Sequence, residues 1–195
     1  MSQRVICALG ILLLLSSCAS APPPSAPVSE AEAETMSFIY GYLDMKDAPS
    51  DVKGVWMQRM RPIEDLPYFG FGVHDGYFYR PNVPNGAYKF TEFRGNGFLG
   101  SGLFIYSMQG QGKGDLDREI NKPSFYFVGA WKYKAHKKGW FEQDEFELLS
   151  ISAPSERQVL EKILLAGDWD RPSSRVWRKK VEKRLAELKK CANCL

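Results

Sequence analysis

Between Phe125 and Lys134 the side chains alternate. Phe125, Phe127, Gly129, Trp131 and Tyr133 fall on one parity, and Tyr126, Val128, Ala130, Lys132 and Lys134 on the other. A period of two belongs to a β-strand, because successive Cβ atoms point to opposite faces of a sheet. The pattern predicts a strand with the first set on a single face. The basic turn His136-Lys137-Lys138-Gly139 then leads into Trp140–Ile151, which predicts a hairpin. Twelve Phe, five Trp and nine Tyr supply the aromatic load that a sheet-rich core uses.

The same reasoning predicts strands over Met36–Leu43, Gly54–Met60, Tyr68–Val73, Tyr77–Tyr79 and Ala87–Phe93. His74-Asp75-Gly76 reads as a hairpin turn, since Asp-Gly supplies the positive φ that tight hairpins need. Residues 95–123 are Gly-rich and read as looser chain. Short strands punctuated by turns over residues 35–152 predict a mainly β domain, an Ig-like β-sandwich.

The stretch from Asp75 to Phe90 carries Gly76, Phe78, Val83, Pro84, Gly86 and Tyr88 in the order G-x-F-x-x-x-x-V-P-x-G-x-Y. It resembles the signature of transthyretin-like, carboxypeptidase regulatory-like sandwich domains. That resemblance implies a non-catalytic structural or binding module. Gly86 is expected to close a tight turn at a backbone geometry other residues resist, with Tyr88 and Phe90 opening the return strand.

Residues 153–190 predict a helical hairpin. Ser155 with Gln158 makes a capping box. Val159, Leu160, Ile163 and Leu164 form an apolar face, and Gly167 stops the helix. After Pro172, Ser173 or Ser174 opens a second helix with Trp177, Val181, Leu185 and Leu188 as its stripe.

At the other end, Arg4 precedes the apolar run Val5–Leu15, followed by Leu15-Ser16-Ser17-Cys18. The run is too short to span a bilayer and has the shape of a secretory signal over residues 1–17. Its ending resembles the bacterial lipoprotein lipobox, which implies acylation of Cys18 as the first mature residue. Three acyl chains at about 0.8 kcal/mol per buried methylene imply a stable anchor. Ala19 and Ser20, rather than an aspartate, follow the cysteine, so the resemblance implies the outer membrane, with the domain on the periplasmic face. Residues 18–34, Pro-rich then acidic, predict an extended tether reaching on the order of 40–50 Å.

Few residues carry chemistry. Cys191-Ala192-Asn193-Cys194 has redox spacing but sits in a tail, residues 191–195, so a passive disulfide is the first reading, ahead of an intermolecular bond or redox catalysis. Zinc would need two ligands beyond the cysteines, and only His74 and His136 exist, so no metal is predicted. Asp115, Asp117, Glu119 and Asn121 alternate oxygen ligands, but Ile120 and Tyr126 stand where a calcium loop needs Gly and Glu. Lys113 among Gly110, Gly112 and Gly114 lacks the residues that follow in a phosphate loop. His74-Asp75 has no partner nucleophile in a recognisable setting. No catalytic residue and no cofactor is predicted.

A net charge of +3 argues against nucleic acid as a partner. The second helix is locally basic, and Arg175, Arg178, Lys179, Lys180 and Lys183 are the candidate contacts for anionic headgroups or an acidic partner. The reading is therefore an outer-membrane lipoprotein carrying a non-catalytic module that binds an envelope protein or glycan. The alternative is an envelope enzyme acting on peptidoglycan or another glycan.

Overall fold

A computed structural model describes residues 29–62, 68–96, 103–108, 117–136 and 145–191. In chain order they form α1 (Glu30–Glu34), β1 (Ser37–Asp44), β2 (Asp51–Arg61), β3 (Tyr68–His74), β4 (Tyr77–Val83), β5 (Gly86–Asn96), β6 (Leu103–Ser107), β7 (Arg118–Ile120), β8 (Phe125–His136), β9 (Glu145–Ile151), α2 (Glu156–Ala166) and α3 (Pro172–Cys191). The chain is mainly β with a C-terminal helix pair.

Among the described residues, nine strands share one hydrogen-bonded sheet in the order β6-β5-β2-β3-β4-β1-β8-β9, with β7 added on β5. Neighbours are antiparallel except β1 and β8, which run parallel. The sheet curls until its two end strands touch through their rings. Tyr106 of β6 lies 5.8 Å from Tyr133 of β8 and 5.7 Å from Phe146 of β9. The concave side holds the larger core, with Val55, Met57, Phe71, Phe78, Phe90, Phe93 and Trp131 among its members.

The convex side of β1, β4 and β8 is aromatic. Phe38, Tyr40, Tyr79, Phe125 and Phe127 form a second core with Ala33, Val159, Leu160, Ile163, Trp169, Trp177 and Val181 from the helices. A sheet so apolar on both faces must be covered on both, and the helix pair supplies the second cover.

The strand over Phe125–Lys134 and its hairpin with β9 are present, but the expected single face is not. Phe125 and Phe127 face the helices, whereas Trp131 and Tyr133 lie in the concave core. The switch occurs at Gly129, whose φ is +105°. Tyr40 pairs with Phe127 and Tyr42 with Ala130, so β8 holds one residue more than β1 across this step. An extra residue changes the parity of everything beyond it. The Trp131 indole locks the bulge by donating to the Val128 carbonyl at 2.8 Å.

Other expectations are also corrected. Residues 95–123 contain β6 and β7 rather than loose chain alone; both are short strands added to β5. Gly86 does not return the chain beside β4. Its strand β5 pairs with β2, β6 and β7, so Pro84 and Asn85 carry the chain across the curl. Gly86 is not among the positive-φ residues either; a Cβ there would stand 2.6 Å from the Arg59 Nε and the Arg61 carbonyl. The tether ends earlier than residue 34. Ser29 and Glu32 form a reciprocal capping box, and α1 tucks Ala33 fully out of solvent.

The helix pair follows the sequence closely. Ser155 and Gln158 form the expected capping box, and Gly167 ends α2. The second helix starts at Pro172, a residue preorganised for the first helical position.

Candidate functional site

Helix α3 is fixed from its apolar side. Trp177, Val181 and Leu185 are buried and Leu188 packs at the edge of the same cluster. The Trp177 ring lies 5.4 Å from Phe38 and 6.0 Å from Phe125. Its indole N–H donates to Oδ1 of Asn82 at 2.7 Å. Asn82 has φ +59°, and the register between β1 and β4 shifts beside it. A bulge in β4 thus turns an amide toward the helix where regular pleating would not.

A second clamp joins three elements. The Tyr40 hydroxyl of β1 donates to Oε1 of Glu156 at 2.6 Å, and the Arg184 guanidinium of α3 reaches the same oxygen at 2.9 Å. Burial, then the Glu156 hydrogen bond, pushes the Tyr40 hydroxyl far above its ordinary pKa.

With the helix held this way, Arg175, Arg178, Lys179 and Lys183 are exposed. Arg178 pairs with Glu182 at 3.4 Å. Lys180 is different. It is partly buried, donates to the Ala33 carbonyl at 2.7 Å, pairs with Glu34 at 3.1 Å and lies 4.7 Å from the Trp177 ring centre. Of the five candidate contacts, four face outward and Lys180 braces α1 against α3.

A second feature has no counterpart in the sequence reading. The strands β3 and β4 pair only at Val73–Phe78 and His74–Tyr77, next to their Asp75-Gly76 turn. Farther on, β3 follows β2 and β4 follows β1. The fork opens a cleft of about 360 Å³, closed on its far side by the α2–α3 connection. Its ionisable lining among the described residues includes Lys53, His74, Arg80, Asp168 and Arg171, with Lys53 paired to Asp51 at 3.5 Å. Arg171 and Asp168 pair at 2.6 Å. Burial lowers the Arg80 pKa from its ordinary value. Tyr79 holds the connection in place: its oxygen accepts from the Asp168 N–H at 3.1 Å and its ring stacks on Trp169 at 5.5 Å. Burial raises its hydroxyl pKa, with the Asp168 N–H opposing. No sequence motif marks this cleft, because Lys53, Arg80 and Arg171 are far apart in the chain.

The remaining candidates are scattered. His74 and Asp75 pair at 3.4 Å with both side chains exposed. His136 meets Glu147 at 2.9 Å, and this hydrogen bond holds the Glu147 carboxyl below its usual pKa. Asp117 accepts from the Phe90 N–H at 3.3 Å, and Glu119 lies 3.9 Å from Arg61. Among the described residues no group of three or more His, Cys, Asp or Glu is placed to hold a metal. None of the described helices is long and apolar enough to cross a membrane. Cys191 is the last residue of α3. Cys18, Cys194 and Gly110–Asp115 lie outside the described residues.

Comparison with protein-family models, curated proteins and solved structures finds no match.

Proposed function

We propose that this chain is an outer-membrane lipoprotein, anchored through acyl chains on Cys18, that holds a non-catalytic binding module on the periplasmic face. The module meets an anionic partner surface through the outer face of α3. The observation that carries the binding half is the division of α3 itself: Trp177, Val181 and Leu185 are buried, while Arg175, Arg178, Lys179 and Lys183 remain outside. The anchoring half is supported by Leu15-Ser16-Ser17-Cys18 at the end of the apolar run. Residues 19–28 then separate the anchor from the capped start of α1.

A transthyretin-like kinship belongs to the same proposal. It is supported by the Asp75–Phe90 stretch, whose Phe78, Val83, Tyr88 and Phe90 all enter one core. It is also supported by ring contact between non-neighbouring strands of the curled sheet, with Phe78 of β4 and Phe90 of β5 edge to face at 6.4 Å. A binding role rather than catalysis on a glycan is favoured by the cleft, where Asp168 is the one lining carboxylate among the described residues and is already paired to Arg171.

The anchor is tested by metabolic palmitate labelling in a bacterial host. Wild type is expected to take up label, and Cys18→Ala to remain an unlabelled, unprocessed precursor. Equal labelling of the two refutes the anchor.

A further inference from the structure

Helix α1 decides where the N-terminal chain leaves the domain. Its C-terminal end is clamped to α3: Ala33 is fully buried, its carbonyl accepts from Lys180 at 2.7 Å, and Glu34 pairs with the same ammonium at 3.1 Å. Ser29 caps the other end of this five-residue helix. At 1.5 Å per residue, that end lies within about 8 Å of Glu34. Residues 19–28 precede it, and covalent geometry lets them span at most about 35 Å. Cys18 therefore stays within that reach of α1.

The flank of α3 beside α1 is basic. Arg175, Lys179 and Lys183 are exposed and recur every fourth residue, so they form one stripe. Lys183 also stands three residues beyond Lys180, next to it on the helix surface. Glu34 and Met36 share a hollow of about 270 Å³ with Lys180 and Lys183. The end of α1 and the basic stripe are thus neighbours.

Most carboxylates of the two helices are engaged. Glu32 accepts from the Ser29 N–H at 2.8 Å, Glu34 pairs with Lys180, Glu182 with Arg178 at 3.4 Å and Glu187 with Arg184 at 3.6 Å. Among the described residues Lys179 and Lys183 make no hydrogen bond or ion pair. Arg175 donates to the Asp170 carbonyl at 3.4 Å, which leaves its charge unneutralised. Against these three cations, Glu30 is the one carboxylate of α1 and α3 left without a partner among the described residues.

We propose that the α3 stripe lies against the same bilayer that holds the acyl chains of Cys18, with Arg175, Lys179 and Lys183 toward its anionic lipid headgroups. This orientation rests on the anchor and the α3 face proposed above, and it names the surface that face meets. Two relationships carry it. The clamp of α1 on Lys180 starts the tether beside the stripe, and a tether this short keeps the stripe at high local concentration over its own bilayer. The free cations then match an anionic leaflet, whose attraction acts over a Debye length of about 8 Å at physiological salt.

The test uses the full acylated chain from a bacterial host, reconstituted into phosphatidylcholine vesicles or into vesicles that also contain phosphatidylglycerol. A single dye is placed at Ala186→Cys, exposed on α3, or at Asn96→Cys, exposed on β5, a strand with no residue in the core beneath the helices. Cys191 and Cys194 are changed to serine in both. Energy transfer to a headgroup acceptor reads the height of each dye above the bilayer. Transfer from position 186 is expected to rise from neutral to anionic vesicles and to fall back with added salt, with no rise from position 96. Lys179→Glu with Lys183→Glu is expected to lose the rise while acylation and the thermal transition stay unchanged. The proposal is overturned if position 186 reads the same on both vesicles, if position 96 rises equally, or if the charge-reversed variant still approaches. Soluble residues 29–195 serve as the comparison. If they bind anionic vesicles while the acylated chain keeps position 186 away from its own bilayer, the α3 face stands and this orientation fails. A chain that takes up no palmitate loses the anchor and this orientation together.

Discussion

The Trp177 indole and the Asn82 side chain are joined by a 2.7 Å hydrogen bond across the sheet–helix interface. Asn82 reaches it from a left-handed backbone conformation that asparagine tolerates better than most residues. The bulge in β4 and the docking of α3 thus depend on one another.

Trp177 is 1 % exposed, and its removal leaves a large cavity. Trp177→Ala is expected to destabilise the fold by about 3–5 kcal/mol in urea denaturation. Asn82→Ala loses both the part-buried acceptor and the tolerance for positive φ, and should lose about 2 kcal/mol. Asn82→Gly keeps the backbone and should isolate the hydrogen-bond share. A double mutant whose losses simply add would show that the two residues are not coupled.

Gly129 is the second point where the backbone decides the packing. With φ +105° and a Trp131 ring atom 2.9 Å from where a Cβ would stand, Gly129→Val is expected to destabilise by several kcal/mol. Near-native stability would mean that β8 can be built without the bulge.

Gly86 is expected to be intolerant for a different reason. Arg59 is buried, donates to the Asn85 carbonyl, and passes where a side chain at position 86 would lie. Gly86→Val should therefore cost about 1–3 kcal/mol through overpacking, and Arg59→Ala should relieve part of that loss. Absence of any rescue by Arg59→Ala would point back to backbone strain.

The alkaline limb of stability is set in part by Tyr40. Its folded pKa is raised above the unfolded value near 10, by burial first and Glu156 second. The folded state therefore holds the proton more tightly. That stabilisation is fully present below about pH 10 and is lost as the pH climbs above it. At pH 7, Tyr40→Phe is expected to be less stable by about 1–2 kcal/mol, because a charge-assisted hydrogen bond is lost. The deficit should shrink above about pH 10, where the unfolded wild type releases this phenol proton while the folded state still holds it, and the variant has no such group. A deficit independent of pH in denaturant titrations from pH 7 to 11 would contradict the assignment.

Periodicity made much of this fold legible. The α2 capping box, the α3 stripe, the Asp75-Gly76 turn and the β8–β9 hairpin are local patterns, and local patterns survive in the chain. Two kinds of feature were not legible. One is the bulge: an alternating pattern reads as one face unless the glycine inside it is weighed as a parity switch, and Gly129 was the available signal. The other is long-range partnership. That β5 crosses to β2, that β8 runs parallel to β1, and that Lys53, Arg80 and Arg171 converge are consequences of topology, with no mark in any single segment. Lys180 shows the same limit within one helix. Its spacing is that of a solvent-facing lysine, and only the position of α1 explains why it turns inward.

The binding face proposed for α3 is open to vesicle sedimentation of residues 29–195, which carry no acyl group. Lys180 must be left intact, since it holds α1; the informative variant is Arg175→Glu with Lys179→Glu and Lys183→Glu. Each cation near an anionic bilayer contributes about 1 kcal/mol, screened as salt is added. The expected result is binding to anionic but not neutral vesicles at low salt, a marked loss at high salt, and no binding by a triple variant whose thermal transition is unchanged. Equal sedimentation across both lipid compositions and both ionic strengths, in wild type and variant alike, would contradict it and leave α3 as a structural brace.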